Sequence, residues 1–102
     1  MTEEKKVEGR GKVNIEIQLD EAIAQGAYVN LAMVNHTETE FIMDFIYVQP
    51  QQPKAKVRAR LITSPKHTKR LLEALKDNVA KYEKRFGVID ISGPAPHDEI
   101  LH

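Results

Sequence analysis

The spacing of apolar side chains along the chain predicts four strands followed by one long helix. Residues 13–19 alternate strictly between apolar and polar types, which is typical of a strand with one buried face. Residues 27–35, 40–48 and 55–63 repeat with the same period of two. Residues 40–48 are apolar on both faces, which indicates a strand that is covered from both sides.

The helix is predicted over residues 64–87. Ser64 is a favoured N-cap, Pro65 suits the first helical position, and Gly87 suits the residue after the last turn. The apolar residues between them recur at steps of three and four, which places them on one face of a helix. They are Leu72, Leu75, Val79, Tyr82 and Phe86. Their heptad-like spacing also permits a helix–helix dimer, although we expect the helix to pack on the sheet.

These elements predict one small α+β domain. Consecutive strands with short connections usually pair antiparallel. We therefore expect a four-stranded antiparallel sheet followed by one long C-terminal helix packed on one face, in the order β-β-β-β-α, as a two-layer sandwich. The 102 residues divide into a disordered charged arm over 1–12, the domain over 13–87 and a mostly flexible tail over 88–102.

The sheet face away from the helix is predicted to be too apolar to remain in water, since a monomer rarely exposes a large contiguous apolar patch. We expect a second copy of the chain to cover it, as a dimer or a dimer of dimers packed sheet to sheet. The candidate oligomer or client surface consists of Tyr28, Val34, Ile42, Ile46, Val48 and Ile62.

Composition narrows the function classes. The 15 basic and 15 acidic residues cancel, so no global attraction to nucleic acid or membrane follows from charge. The chain has no cysteine, which excludes disulfides and thiolate chemistry. Its charged first residues do not resemble a secretory signal, and no apolar run is long enough to span a bilayer. We expect a cytoplasmic protein without membrane contact.

A basic segment is the most suggestive local feature, because residues 45–72 contain no Asp or Glu. It predicts a strip on residues 54–70 that contacts phosphate or nucleic acid, and its strand cations share one face in strict alternation. The candidate anion contacts are Lys56, Arg58, Arg60, Lys66, Lys69 and Arg70. The same cations could instead protect a sheet edge from aggregation or pair with carboxylates across the sheet.

Candidate chemistry is sparse. Asp44 lies within the most apolar strand, where we expect it to pair with Arg58 or Arg60. No pair of the four histidines has the spacing that zinc sites use. His36 with Glu38 and Glu40, at a predicted hairpin tip, is a weak candidate for a divalent ion. We therefore expect no catalytic residue, no cofactor and no metal site, and hence no enzyme.

Two runs carry a resemblance to a known family. LDEAIAQGAYVNLAMVNHTETEFIMDF and PKAKVRARLITSPKHTKRLLEALKDNVAKYE resemble the prokaryotic family named domain of unknown function 3467, over about residues 13–87. The most specific pieces are residues 30–31, 40–41, 44–45, 53–56 and 65–72. This resemblance implies no activity. The order of elements is also similar to that of SecB-type export chaperones, which combine an antiparallel sheet, a long helix and oligomers built through sheets.

Two functional hypotheses follow. The first is a non-enzymatic, homo-oligomeric binding protein that holds an extended polypeptide, as SecB-type chaperones do. The alternative is an accessory protein that binds nucleic acid or phosphate through residues 54–70.

Overall fold

The computed structural model describes residues 2–8 and 14–93, and side chains from residue 14 onward. Its elements are β1 (Thr2–Glu8), β2 (Asn14–Asp20), α1 (Glu21–Ala24), β3 (Leu31–His36), β4 (Phe41–Val48), β5 (Ala55–Thr63) and α2 (Pro65–Phe86). The α+β class and the long helix are confirmed. Residues 88–93 form neither helix nor strand, and the rest of the predicted tail lies outside the described residues.

The strands form two sheets rather than one. β3, β4 and β5 make an antiparallel three-stranded sheet with β4 in the centre, whereas β2 pairs antiparallel with β1. The predicted four-stranded sheet is therefore not formed. β1 lies in the stretch predicted to be a disordered arm, and it gives β2 a partner close in sequence. Such local pairing costs less loop-closure entropy than pairing across the connection of residues 21–30.

β3 and β4 form a hairpin whose turn lies in the short polar stretch between the two strands. The Thr37 N–H donates to the Glu40 carbonyl oxygen at 2.8 Å, and the Thr37 hydroxyl oxygen accepts from the Glu40 N–H at 3.1 Å. This side-chain bond stabilises the turn locally. The hairpin sets the register in which Leu31 lies opposite Ile46 and Val34 opposite Met43.

Asn30 extends this pairing with its side chain. Its Nδ2 donates to the Val48 carbonyl oxygen at 3.0 Å, and its Oδ1 accepts from the Val48 N–H at 2.9 Å. Its backbone N–H also donates to the Ile46 carbonyl oxygen, at 3.0 Å. The Asn30 side-chain amide thus forms hydrogen bonds with the backbone N–H and carbonyl of Val48, the last residue of β4. It replaces the bonds that a paired strand would make at this position, which lies beyond the end of β3.

A β-bulge in β5 redistributes the basic residues between the two faces of the sheet. Ala59 lies opposite Phe45 but Val57 lies opposite Ile46, so Arg58 is the extra residue. We call the two sides the Tyr47 face and the Asp44 face, after residues of β4. Opposite Tyr47 stands Lys56, and opposite Asp44 stands Arg60. The prediction that Lys56, Arg58 and Arg60 share one face is wrong, because strict alternation does not hold across a bulge.

Asp44 is paired with Arg60, which confirms one of the two predicted partners. Arg60 Nε donates to Asp44 Oδ1 at 2.7 Å and Arg60 Nη2 donates to Asp44 Oδ2 at 2.9 Å. This bidentate geometry fixes the register of the two strands on the Asp44 face. The hydrogen bonds from Arg60, helped by its charge, hold the pKa of Asp44 below its ordinary value.

Helix α2 begins and ends as predicted. The Ser64 hydroxyl accepts from the His67 N–H at 3.2 Å, Pro65 is the first helical residue, and the Gly87 N–H donates to the Glu83 carbonyl oxygen at 2.9 Å. Gly87 has φ near +100°, which a glycine adopts without the strain that a Cβ would cause.

The helix does not pack over the sheet, so the predicted two-layer sandwich is not formed. None of the residues of α2 is buried, and Leu75 in its apolar stripe is 54% exposed. Among the described residues the buried apolar side chains are Met43, Ile46 and Val48, all on β4. The Cα radius of gyration of 16.9 Å also exceeds the roughly 13 Å expected of a compact domain of this length.

We predict that Asn30→Ala lowers the free energy of unfolding by about 1–3 kcal/mol, because it removes two hydrogen bonds and leaves the Val48 backbone polar groups without them. Urea denaturation followed by circular dichroism measures this. Asn35→Ala, at an exposed position of the same hairpin, is the matched control and should change stability little. Equal effects of the two substitutions would contradict the role given to Asn30.

The Asp44–Arg60 pair predicts a loss of stability in acid. A carboxylate whose folded pKa lies below the unfolded value of about 3.9 stabilises the fold above that pH. The stabilisation disappears as the pH falls through the folded pKa. Asp44→Asn should therefore be less stable at pH 6 and show a shallower loss between pH 5 and 2, measured by urea denaturation. Asp77→Asn on α2 is the control, and an unchanged acid slope in Asp44→Asn would refute the assignment.

Candidate functional site

The apolar side of α2 is the first candidate surface. Its members, named here the α2 stripe, are between 43% and 65% exposed. They are Leu72, Leu75, Val79, Tyr82 and Phe86. Tyr82 and Phe86 lie against each other, with ring centroids 5.0 Å apart. The stripe is therefore an apolar surface that the described residues of the same chain leave largely exposed.

An open groove of about 510 Å³ lies at the start of the α2 stripe. Phe41, at the beginning of β4, forms one wall, and Pro65, Thr68, Lys69 and Leu72 of α2 form the other. The groove exists because Thr63, the last residue of β5, lies opposite Phe41, so the helix starts beside that ring. Lys69 adds a cation to a groove with otherwise mainly apolar walls.

The two edges of the three-stranded sheet differ in chemistry. β5 has three basic residues and a bulge, and natural sheets use both to prevent pairing at an edge. β3 contains no Asp, Glu, Lys or Arg and pairs with β4 without a register shift. Met33 and Val34 on β3 are 52% and 54% exposed. None of the described strands pairs with the outer side of β3, so this edge is the one suited to pairing with another strand.

The predicted oligomer or client surface is divided in the structure. Ile46 and Val48 are buried, Ile42 is half-buried, and Tyr28, Val34 and Ile62 are exposed. Val34 lies opposite Met43 and so belongs to the Tyr47 face, whereas Ile62 lies opposite Ile42 on the Asp44 face. The six residues therefore do not form one patch, because the register was assigned from alternation without the pairing partners.

A cleft of about 460 Å³ with aromatic and basic walls lies on the Tyr47 face. The Arg58 guanidinium carbon is 5.4 Å from the centroid of the Tyr47 ring, and Tyr28 meets Tyr47 edge to face at 6.2 Å. Gly26, with φ near +76°, turns the chain after α1 so that Tyr28 reaches this cleft. Sequence reasoning missed the cluster, because alternation places Arg58 with Arg60 and only the bulge moves it to Tyr47.

The six candidate anion contacts lie in three places. They are Arg60 on the Asp44 face, Lys56 and Arg58 beside Tyr47, and Lys66, Lys69 and Arg70 on the first turns of α2. Arg60 is occupied by Asp44. Phe41, beside the helix start, and Tyr47 are six residues apart on β4, which corresponds to about 20 Å. The structure therefore does not assemble the six into one strip.

Other sites are not apparent in the part of the chain that the structure describes. Within residues 14–93, no three His, Asp or Glu side chains are grouped so that they could hold a metal ion, and His36 instead stacks on Phe41 with centroids 5.4 Å apart. The described helices include none with the length and apolar character needed to cross a bilayer.

Comparison with known proteins supports the family resemblance and nothing further. No curated protein and no solved structure matches the chain significantly, so the likeness to SecB-type chaperones is not confirmed. The family model described as "Protein of unknown function (DUF3467)" matches residues 1–91, which is most of the chain. The protein therefore belongs to the DUF3467 family.

Proposed function

We propose that this protein is a non-enzymatic binding protein that works as a homo-oligomer and holds an extended polypeptide along β3. The observation that carries the proposal is that β3 is uncharged and regularly paired with β4, and that no other described strand pairs with its outer edge. An extended segment that adds to such an edge gains backbone hydrogen bonds whatever its sequence. This suits a protein that binds many polypeptides rather than one.

The side chains of β3 would give the bound segment a preference for apolar residues. Met33 lies opposite Asp44 and Val34 opposite Met43, so the two exposed side chains flank the edge on different faces of the sheet. A strand added beside them places its own alternate side chains next to these residues. We therefore expect segments with apolar residues at neighbouring positions to bind best.

The homo-oligomer is supported by the amount of apolar surface that a single chain leaves exposed. In addition to the α2 stripe, Ile15 and Ile17 of β2 are 50% and 45% exposed, although the alternation of β2 predicted a half-buried strand. Monomers rarely expose apolar patches of more than a few hundred Å². A second copy of the chain covers such surface most economically, through a two-fold axis.

The proposal predicts that a charge at the β3 edge weakens polypeptide binding. Met33→Lys and Val34→Lys should each reduce affinity for a fluorescent, reduced and alkylated, permanently unfolded protein by about tenfold or more, which is about 1.4 kcal/mol. Fluorescence anisotropy measures this. The corresponding glutamate variants should show the same loss, which separates edge blocking from attraction between charges.

Ile62→Lys is the matched control, since Ile62 is 57% exposed on the other edge strand, β5. It should leave the affinity unchanged. Equal losses of affinity in Met33→Lys and Ile62→Lys, with no loss in Val34→Lys, would show that the unfolded protein binds on the Asp44 face rather than along the β3 edge. No binding of the unfolded protein by the wild type would reject the proposed function.

The cleft beside Tyr47 favours a second candidate function, the binding of nucleic acid or another phosphate compound. Arg58, Tyr28 and Tyr47 combine a cation with aromatic rings, as single-strand binding surfaces do. Lys56, opposite Tyr47 in the ladder, adds a second cation on the same face. The helix cations are too distant to contribute to the same contact.

This alternative predicts salt-dependent binding to a short single-stranded RNA or DNA. Arg58→Gln should lower the affinity about fivefold or more and reduce the slope of log K against log salt by about one, because one phosphate contact is lost. Lys84→Gln, which removes the same charge from the last turn of α2, is the control. If both variants weaken binding equally, the effect is one of overall charge and the cleft is not the site.

A further inference from the structure

We propose that two copies of the chain associate through α2, with the two helices antiparallel and the α2 stripe of each facing the other. The inference rests on the proposed homo-oligomer and names its interface. Thr68 lies four residues before the first member of the α2 stripe. From Thr68 onward the positions follow at steps of four, three, four, three and four residues: Leu72, Leu75, Val79, Tyr82 and Phe86. That is a strict heptad repeat over a helix of 22 residues, about 33 Å long.

The first argument is that the sheet of the same chain leaves the stripe free. No residue of α2 is buried, so the usual explanation of an amphipathic helix, packing on its own sheet, does not apply here. A strict heptad stripe is complementary to another such stripe, whose side chains fit the holes between its own. A second copy of the chain supplies one with the same length.

The second argument is steric and fixes the register. If Leu75 of one helix lies beside Val79 of the other, then Leu72 meets Tyr82 and Thr68 meets Phe86 across the interface. The short Thr68 side chain borders the groove whose far wall is Phe41. The partner's Phe86 ring, 65% exposed in the single chain, would fill that groove. Gly87 ends each helix at this point, so the partner helix does not continue into β4.

The third argument is charge. In the same register Lys69 of each helix flanks Glu83 of the other, which gives two equivalent ion pairs beside the stripe. In the single chain, Glu83 Oε2 accepts from the Ile89 N–H at 2.8 Å, which holds this carboxylate at the C-terminal end of the helix. A parallel pair would bring no opposite charges together at the flanking positions, since Lys76 would lie beside Leu71 and Glu83 beside Asn78.

One pair opposes the arrangement. Lys76 lies near the two-fold axis and faces Lys76 of the other copy, although Glu73 Oε1, 3.8 Å from the Lys76 ammonium nitrogen in the same helix, offsets part of this repulsion. Only the antiparallel register brings these lysines together. Lys76→Gln should therefore tighten the dimer.

Disulfide trapping tests the direction of the helices, because the chain has no cysteine of its own. A mixture of Leu72→Cys with Tyr82→Cys should give a disulfide-linked heterodimer under mild oxidation, whereas neither variant alone should cross-link. In the antiparallel pair, residues 72 of the two copies lie about 15 Å apart along the axis, beyond disulfide reach. Cross-linking of each variant alone would show a parallel pair and overturn the proposal.

Asp77→Cys, on the outer face of the helix, is the control for random collision and should not cross-link. Absence of cross-linking in the mixture, with both thiols shown to react with a maleimide, would also overturn the proposal.

The ion pairs give a second test, by sedimentation equilibrium. Lys69→Glu and Glu83→Lys should each weaken the dimer about tenfold, since two attractive pairs become repulsive, and the double variant should restore most of the affinity. Circular dichroism verifies that each variant keeps its helix. A double variant as weak as either single change would refute the register.

These outcomes separate the interface from the proposed function. A Val79→Glu variant that remains oligomeric and still binds unfolded protein would refute only the pairing through α2. Cross-linking in the mixture of Leu72→Cys and Tyr82→Cys, together with a wild type that fails to bind unfolded protein, would refute only the function assigned to β3.

Discussion

Burial of one strand, β4, is what the described fold depends on. β4 pairs on both sides, and it supplies the buried side chains Met43, Ile46 and Val48. A core this small gives little hydrophobic stabilisation to set against the conformational entropy of about a hundred residues. The large apolar residues of α2 and β2 remain in contact with water. Covering this surface with a second copy of the chain, as proposed above, would add to the stability of the fold.

Features that depend on neighbouring residues were predictable from the sequence. Ser64, Pro65 and Gly87 define α2 through local backbone chemistry, and the turn after His36 closes through the Thr37 hydroxyl. The pairing of Asp44 with an arginine was predictable because an aspartate within an apolar strand needs a cation nearby. In each case the deciding contact lies within a few residues or on the adjacent strand.

Features that depend on distant pairing were not predictable. Alternation assigns faces correctly only while every residue has a partner, and the extra residue Arg58 changes the assignment for half of β5. This explains both the divided basic strip and the missed cleft at Tyr47. The predicted oligomer or client surface did not form one patch for a similar reason. Val34 could be assigned to a face of the sheet only after its opposite residue, Met43, was known.

The position of α2 shows why an amphipathic pattern does not identify its own partner. An apolar stripe is satisfied equally by a sheet of the same chain or by a helix of another, because hydrophobic burial has no direction. Spacing and flanking charge distinguish the two, and in α2 the strict heptad with Lys69 and Glu83 at flanking positions favours a helix. The outer edge of β3 is formed by backbone on a separate element. Self-association through α2 would therefore cover the stripe without occupying that edge, and the polypeptide site proposed on β3 would stay open in such an assembly.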